Sequence, residues 1–229
     1  MTPFILGTLL LVIPTRSSIV LGVDGLRRDI GNQNQAADGC KMIQTQRFVF
    51  AASGFTVGPH HNVHELAAIL GREASGIIDA VGQFERRVVT EASASLQALR
   101  AQNAAAFNTL IQGRVLTAVF VGIDNDGVRL SERSYRSNDD TQITLDHERD
   151  LQAPFTGVPV RFFGEAATAV GNAEQRLRGA TNPIEYATMA LNLGVELRPD
   201  VVGPPFQIAV IGATATRWLP ADSPCAREH

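Results

Sequence analysis

Apolar residues concentrate in two short runs near the start of the chain, and a polar turn separates them. Phe4 to Ile13 is mostly apolar, residues 14–18 have turn chemistry, and Ile19 to Val23 is apolar again. Short apolar runs bounded by turn residues predict strands that are buried on both faces, so this region predicts a hairpin. A third strand is predicted from Arg47 to Ala52, and it closes at Gly54.

The period of the apolar residues changes after Asn62. Apolar residues then recur at helical spacing as far as about Leu110. This stretch has no proline, but it contains glycines at Gly71, Gly76 and Gly82, which favours two long helices over one.

The second half of the chain returns to strands, which are followed by another helical region and a last strand. The Asp-Asn-Asp-Gly sequence at 124–127 predicts a hairpin turn, and Thr181-Asn182-Pro183 predicts a helix start. The predicted elements are strands at 115–123, 128–136 and 158–163, a polar loop at 137–154, helices at 165–178 and from Pro183 to Leu197, and a last strand at 206–211. Two-sided apolar strands must be sandwiched, so the sequence predicts the α+β class, with two stacked sheets between helical layers.

Composition narrows the function without identifying it. The 229 residues are 45% hydrophobic and carry a net charge of −3, which fits one domain over 1–229 and gives no support for nucleic-acid binding. Cys40 and Cys225 have neither metal-ligand nor disulfide-framework spacing. The cluster of His60, His61 and His64 has no partner pattern and indicates a polar helix entrance rather than a zinc site. We therefore expect no metal and no cofactor.

The N-terminal apolar run does not predict membrane insertion. It is too short to span a bilayer, no basic residue precedes it, and no small-x-small cleavage site follows it. We expect a cytoplasmic protein without membrane attachment. The alternative is a secreted or periplasmic protein whose leader was removed before residue 1.

Lys41 is the only lysine among the 20 lysine and arginine residues. Chance survival in an arginine-biased composition is one explanation. The other is that this position needs a compact ammonium group, which fits a tight pocket and tunes its basicity as a guanidinium cannot.

The residues around Lys41 form an ordered set of motifs. Gly7-Thr8 opens the second half of the first apolar run, Asp24 follows Thr8 by sixteen residues (24 − 8) at a strand end, and Gly54 ends the third strand. Two further motifs of this set lie at 183–187, in the last predicted helix, and at 203–211, around the last predicted strand. This order resembles the proteasome β-type family of N-terminal-nucleophile (Ntn) hydrolases, as a bacterial proteasome-like member.

The resemblance implies a four-layer αββα sandwich and a specific chemistry. Residues 1–7 would be a propeptide, Thr8 the freed N-terminal nucleophile, and residues 212–229 a C-terminal tail. The α-amine of Thr8 would act as the base, the charge of Lys41 would favour the deprotonated hydroxyl, and Asp24 would hold Lys41 charged and oriented. The backbone N–H of Gly54 would face the oxyanion. The implied partners are a peptide or protein substrate and further copies of the chain.

The sequence also departs from the family pattern. The stretch from Phe163 to Ala167 lacks the expected serine, and Val202 and Gly203 stand where another serine is expected. Asp200 matches the auxiliary aspartate that family members carry in the loop before the last strand. Two hypotheses therefore stay open: a threonine-type peptidase, and a non-catalytic, structural or ring-forming subunit in which residues 1–7 are retained and Thr8 is an ordinary strand residue.

Overall fold

Alternate side chains of the apolar strands face two different hydrophobic cores. In strand β2 (Leu10–Pro14), Leu10 and Val12 pack between the two sheets, whereas Leu11 and Ile13 pack beneath helices. Because successive side chains of a strand point to opposite faces, a strand that is apolar on both faces requires a cover on each side. This computed structural model describes residues 4–7, 9–29, 35–36, 40–137 and 141–221.

The described residues form two antiparallel sheets. The larger sheet has nine strands: β1 (Ile5–Gly7), β4 (Arg27–Asp29), β5 (Gln35–Ala36), β6 (Met42–Gln44), β7 (Phe48–Gly58), β8 (His61–Asn62), β9 (Arg114–Asp124), β10 (Gly127–Ser137) and β11 (Ile143–Gln152). Its order is β11-β10-β9-β7-β1-β4-β5, with β6 and β8 also paired to β7. The smaller sheet contains β2, β3 (Ile19–Val23), β12 (Arg161–Phe163), β13 (Gln207–Ile211) and β14 (Thr216–Leu219). Its order is β12-β2-β3-β13-β14.

Helices cover the outer face of each sheet. The larger sheet is covered by α1 (Val63–Glu73), α2 (Ile77–Gln102) and α3 (Ala104–Leu110). The smaller sheet is covered by α4 (Ala167–Asn172), a short 3₁₀ helix (Glu174–Leu177) and α5 (Pro183–Leu197). Asparagine side chains at 62, 103 and 182 accept the first free N–H groups of α1, α3 and α5.

The α+β class and the four-layer αββα sandwich are confirmed. One core lies between the sheets, and one lies under each helical layer. The hairpin of β9 and β10 and the capped helix α5 also form close to the predicted positions. In the part of the chain that the structure describes, every helix is too short or too polar to cross a membrane.

Several element predictions were wrong. The first apolar run is two strands in different sheets, β1 and β2, rather than one. The polar segment predicted as a loop forms β11, which is an edge strand and so needs no apolar outer face. The first helical region divides into three helices, and the 165–178 helix into α4 and a 3₁₀ turn. Strand β14 lies within the segment expected to be a tail.

Candidate active site

Between Gly7 and Leu9 the chain passes from the larger sheet to the smaller one. Thr8 itself lies outside the described residues. Gly7 is the last residue of β1 in the larger sheet, and Leu9 directly precedes β2 in the smaller sheet. The structure therefore describes the two neighbours of the candidate nucleophile, and they lie in different sheets or at their ends.

Asp24 and Lys41 form a buried ion pair beside this crossing. The Lys41 Nζ donates to Asp24 Oδ1 at 2.9 Å, and the two residues are 2% and 0% exposed. Charges in a dry interior are tolerated only when they are paired and hydrogen-bonded. The Leu9 N–H also donates to Asp24 Oδ1, at 2.9 Å, and the Gly203 N–H donates to Oδ2 at 3.4 Å. Asp24 thus joins the lysine to the residue that follows Thr8.

Lys41 is also fixed through its main chain. Its carbonyl oxygen accepts from His64 Nε2 at 2.9 Å and from the Ala52 N–H at 3.4 Å. His64 lies in the first turn of α1, so this helix holds the lysine from the side of the larger sheet. The histidine cluster was expected to be a polar helix entrance, but His61 and His64 are both buried. Their position between an apolar strand and an apolar helix stripe was the only signal for this in the sequence.

Gly54 lies opposite the residue that precedes Thr8. It is the register partner of Gly7 on one side and of Leu116 on the other. Its φ is +88°, and an added Cβ would be 2.3 Å from the Val115 carbonyl oxygen. Both the backbone conformation and the close approach therefore require glycine here.

Strand β1 occupies a slot inside the larger sheet. It pairs antiparallel with β7 on one side and with β4 on the other. The Thr56 hydroxyl donates to the Ile5 carbonyl oxygen at 3.3 Å, and the ring of Phe4 stacks on that of Phe55. Phe4, Ile5 and Leu6 are thus held as an extended, buried segment.

A cavity of about 770 Å³ adjoins Gly54. Ser53 and Thr117 contribute hydroxyl groups to its wall, and Glu165, in the stretch from Phe163 to Ala167 where a serine was expected, also lies on its wall. Thr117 and Ser134 are linked by a 3.0 Å hydrogen bond between their hydroxyl groups. The cavity therefore has a polar side next to the Gly7-Gly54 pair.

Asp200 lies away from the buried cluster. Its carboxylate is on the surface and accepts two hydrogen bonds from Arg198, at 3.0 and 2.9 Å. From the same loop it is Gly203, at the position where a serine was expected, that contacts Asp24. The structure thus brings together Asp24, Lys41, Gly54 and the neighbours of Thr8, and places Asp200 outside this group.

Cys40, next to Lys41, is disulfide-bonded. The sequence has one other cysteine, Cys225, which lies outside the described residues. The spacing of the two cysteines gave no indication of a disulfide, because a single pair far apart in sequence has no recognisable pattern.

Comparison with known proteins supports the fold. No protein-family model matches the sequence, and no curated protein matches it. Among solved structures, the chain resembles Thiobacillus denitrificans BPH in complex with epoxomicin. The match has a TM-score of 0.51 at 12% identity, and it covers 91% of this chain and 100% of that chain. The chain therefore has the sandwich fold of that protein.

Proposed function

We propose that this protein is a threonine-type Ntn hydrolase that cleaves peptide bonds after freeing Thr8 as its N-terminal residue. The observation that carries the proposal is the buried Asp24–Lys41 pair bonded to Leu9, with Gly54 opposite Gly7. Two of these three contacts involve the chain neighbours of Thr8, Gly7 and Leu9. The fold shared with a protein that was solved in complex with epoxomicin supports the same reading.

The proposed maturation uses the chain's own groups. The Thr8 hydroxyl oxygen attacks the carbonyl carbon of Gly7. The backbone N–H of Gly54 would donate a hydrogen bond to the resulting oxyanion. Collapse breaks the Gly7–Thr8 amide bond, the proton lost by the hydroxyl passes to the Thr8 nitrogen to give the free amine, and an ester now joins Gly7 to the Thr8 oxygen. Water then hydrolyses this ester, which releases the Gly7 carboxylate and restores the hydroxyl.

Peptide hydrolysis repeats these steps on a second molecule. The free Thr8 amine takes the hydroxyl proton as the oxygen attacks the substrate carbonyl carbon. The proton passes to the departing amine, and water cleaves the acyl ester. Lys41 stays charged beside Asp24 and stabilises the negative charge that develops on the attacking oxygen.

The slot of β1 indicates how a substrate would bind. Removal of residues 1–7 leaves unpaired main-chain groups on β4 and β7 that face one another. An extended peptide can add to both edges, so that main-chain hydrogen bonds supply affinity and pockets supply preference. The native occupant has buried apolar residues at Phe4, Ile5 and Leu6 and a glycine at the cut, so we expect substrates of the same character.

The test is the mature N-terminus of the protein made in its own host. Intact mass should show loss of residues 1–7 and a new N-terminal Thr8, and the processed protein should react with epoxomicin. Thr8→Ala should keep residues 1–7, and Thr8→Ser should be processed. A wild-type protein that retains residues 1–7 under the same conditions would contradict the proposal.

A second function is favoured by the burial of β1. Phe4, Ile5 and Leu6 are each less than a tenth exposed, and Ile5 and Leu6 pair with a strand on both sides, as permanent core residues do. A non-catalytic, structural or ring-forming subunit would keep this strand. It predicts full retention of residues 1–7 and an unchanged assembly state in Thr8→Ala.

Assembly and compartment belong to the same proposal. Self-association of the helical faces is expected under both functions, and Ile78 on α2 is an exposed apolar residue in such a face. A disulfide at Cys40 favours an oxidising compartment, and so the secreted or periplasmic alternative over the cytoplasm.

A further inference from the structure

Asp29 is a buried carboxylate that the proposed chemistry does not use. It is 7% exposed and is the last residue of β4. Its Oδ1 accepts the backbone N–H of Phe4 at 3.2 Å. Phe4 stands four residues before the Gly7–Thr8 junction when Gly7 is counted as the first.

The strand register places Phe4 beside Asp29. Ile5 is the partner of Asp29, Leu6 of Arg28, and Gly7 of Arg27. The carboxylate of Asp29 accepts the N–H of Phe4, the residue that precedes Ile5 in the chain. A charged acceptor makes a stronger bond than a peptide carbonyl.

A hydrogen bond to the main chain of a bound peptide selects for the length of the peptide rather than for the identity of its side chains. Any extended peptide that fills the slot presents an N–H at this point, provided that it has a fourth residue before the cut. A shorter peptide presents no donor there and leaves a desolvated carboxylate less well paired, which is unfavourable.

Resting on the proposed function, we propose that Asp29 is a specificity-determining residue that binds the backbone N–H of the fourth substrate residue before the cleaved bond. The enzyme then requires peptides that extend at least four residues on this side. The substrate class is an extended apolar peptide, cleaved after a small residue.

The experiment removes the donor from the substrate and the acceptor from the enzyme in turn. The first substrate is an N-acetyl peptide of sequence FILG coupled by an amide bond to aminomethylcoumarin. The second has the phenylalanine N–H replaced by an ester oxygen, with the side chain unchanged. For the processed wild-type protein we expect kcat/KM to fall roughly tenfold or more between them.

The variants then locate the effect. Asp29→Ala should cleave both peptides at similar rates, Asp29→Asn should keep part of the difference through its amide oxygen, and Asp126→Ala, in an exposed turn, should keep all of it. The ratio of kcat/KM for the two peptides is compared between the wild-type protein and Asp29→Ala. The difference between these two ratios measures the coupling between the substrate N–H and the Asp29 carboxylate.

Each outcome decides a separate point. Equal cleavage of both peptides by the wild-type protein would overturn the role of Asp29 and leave the hydrolase proposal intact, and this comparison needs no variant to fold. An unchanged difference in Asp29→Ala would assign the N–H to another acceptor and also overturn it. If the wild-type protein cleaves neither peptide, the proposed function is wrong, and this inference with it.

Discussion

Asp24 accepts hydrogen bonds from Lys41, Leu9 and Gly203, and these bonds explain how a charged pair persists in a dry interior. Each oxygen of the carboxylate has a donor, so neither is left desolvated and unpaired. Removal of one member of such a pair leaves the other buried and uncompensated, which is far less favourable than replacement of both.

The pair therefore predicts a specific pattern of stability. In the unprocessed Thr8→Ala protein, Lys41→Met should lower the free energy of unfolding by about 3 kcal/mol or more. The double variant Lys41→Met/Asp24→Asn should recover part of this loss, because it buries no isolated charge. Denaturant unfolding of the Thr8→Ala parent, the two single variants Lys41→Met and Asp24→Asn, and the double variant measures both effects, and additive losses would show that the two groups are not coupled.

Lys41→Arg separates the two explanations of the single lysine. The guanidinium keeps the charge but is larger and planar, and the site is almost closed to solvent. With Thr8 intact, we expect the rates of processing and of peptide cleavage to fall at least tenfold. Intact mass measures the processing, and initial rates measure the cleavage. Wild-type activity in Lys41→Arg would instead attribute the lysine to chance survival.

At the scale of elements, the important arrangement is the strand β1 enclosed by β4 and β7. Its residues end at Gly7 in one sheet, and the chain resumes at Leu9 before β2 in the other. Gly54 of β7 faces this point in a left-handed conformation. The approach of β9 to β7 depends on the missing side chain of Gly54.

Gly54→Ala should consequently disrupt both folding and processing. The new Cβ would overlap the Val115 carbonyl oxygen in a conformation that costs a non-glycine residue about 1–3 kcal/mol. We expect a loss of about 2 kcal/mol or more in the free energy of unfolding and no cleavage at Gly7. Gly179→Ala is the control, because nothing lies within 4 Å of its added Cβ. Equal effects of the two substitutions would contradict this account.

At the scale of the whole molecule, His61 couples the helical layer to the larger sheet. Its Nδ1 lies 2.9 Å from the Ser95 hydroxyl on α2, and its Nε2 lies 3.1 Å from the Phe55 carbonyl oxygen on β7. Burial lowers the pKa of His61 from 6.5 to about 4, and the bond to Phe55 only partly opposes this effect. The neutral ring is the form that the fold accommodates.

The free energy of unfolding should therefore decrease as the pH is lowered from about 6.5 to about 4. In this window the unfolded chain binds a proton that the folded protein excludes, so acidification favours unfolding, by about 3 kcal/mol across the window. His61→Gln can keep a donor and an acceptor without titrating and should flatten the profile. Exposed His147→Gln should leave it unchanged. A wild-type-like slope in His61→Gln would assign the acid sensitivity to other groups.

The sequence by itself determined the sandwich, the β9–β10 hairpin, α5 and the ordered motifs around Lys41. Local periods report which faces of an element are buried, and turn and cap residues report where elements end. Only the tertiary structure decided that β1 and β2 separate into two sheets, that polar β11 pairs at an edge, that His64 holds the Lys41 carbonyl, and that Gly203 reaches Asp24. These contacts join residues far apart in the chain, 179 positions in the case of Asp24 and Gly203. No local pattern encodes such a neighbour, because it depends on how complete elements pack.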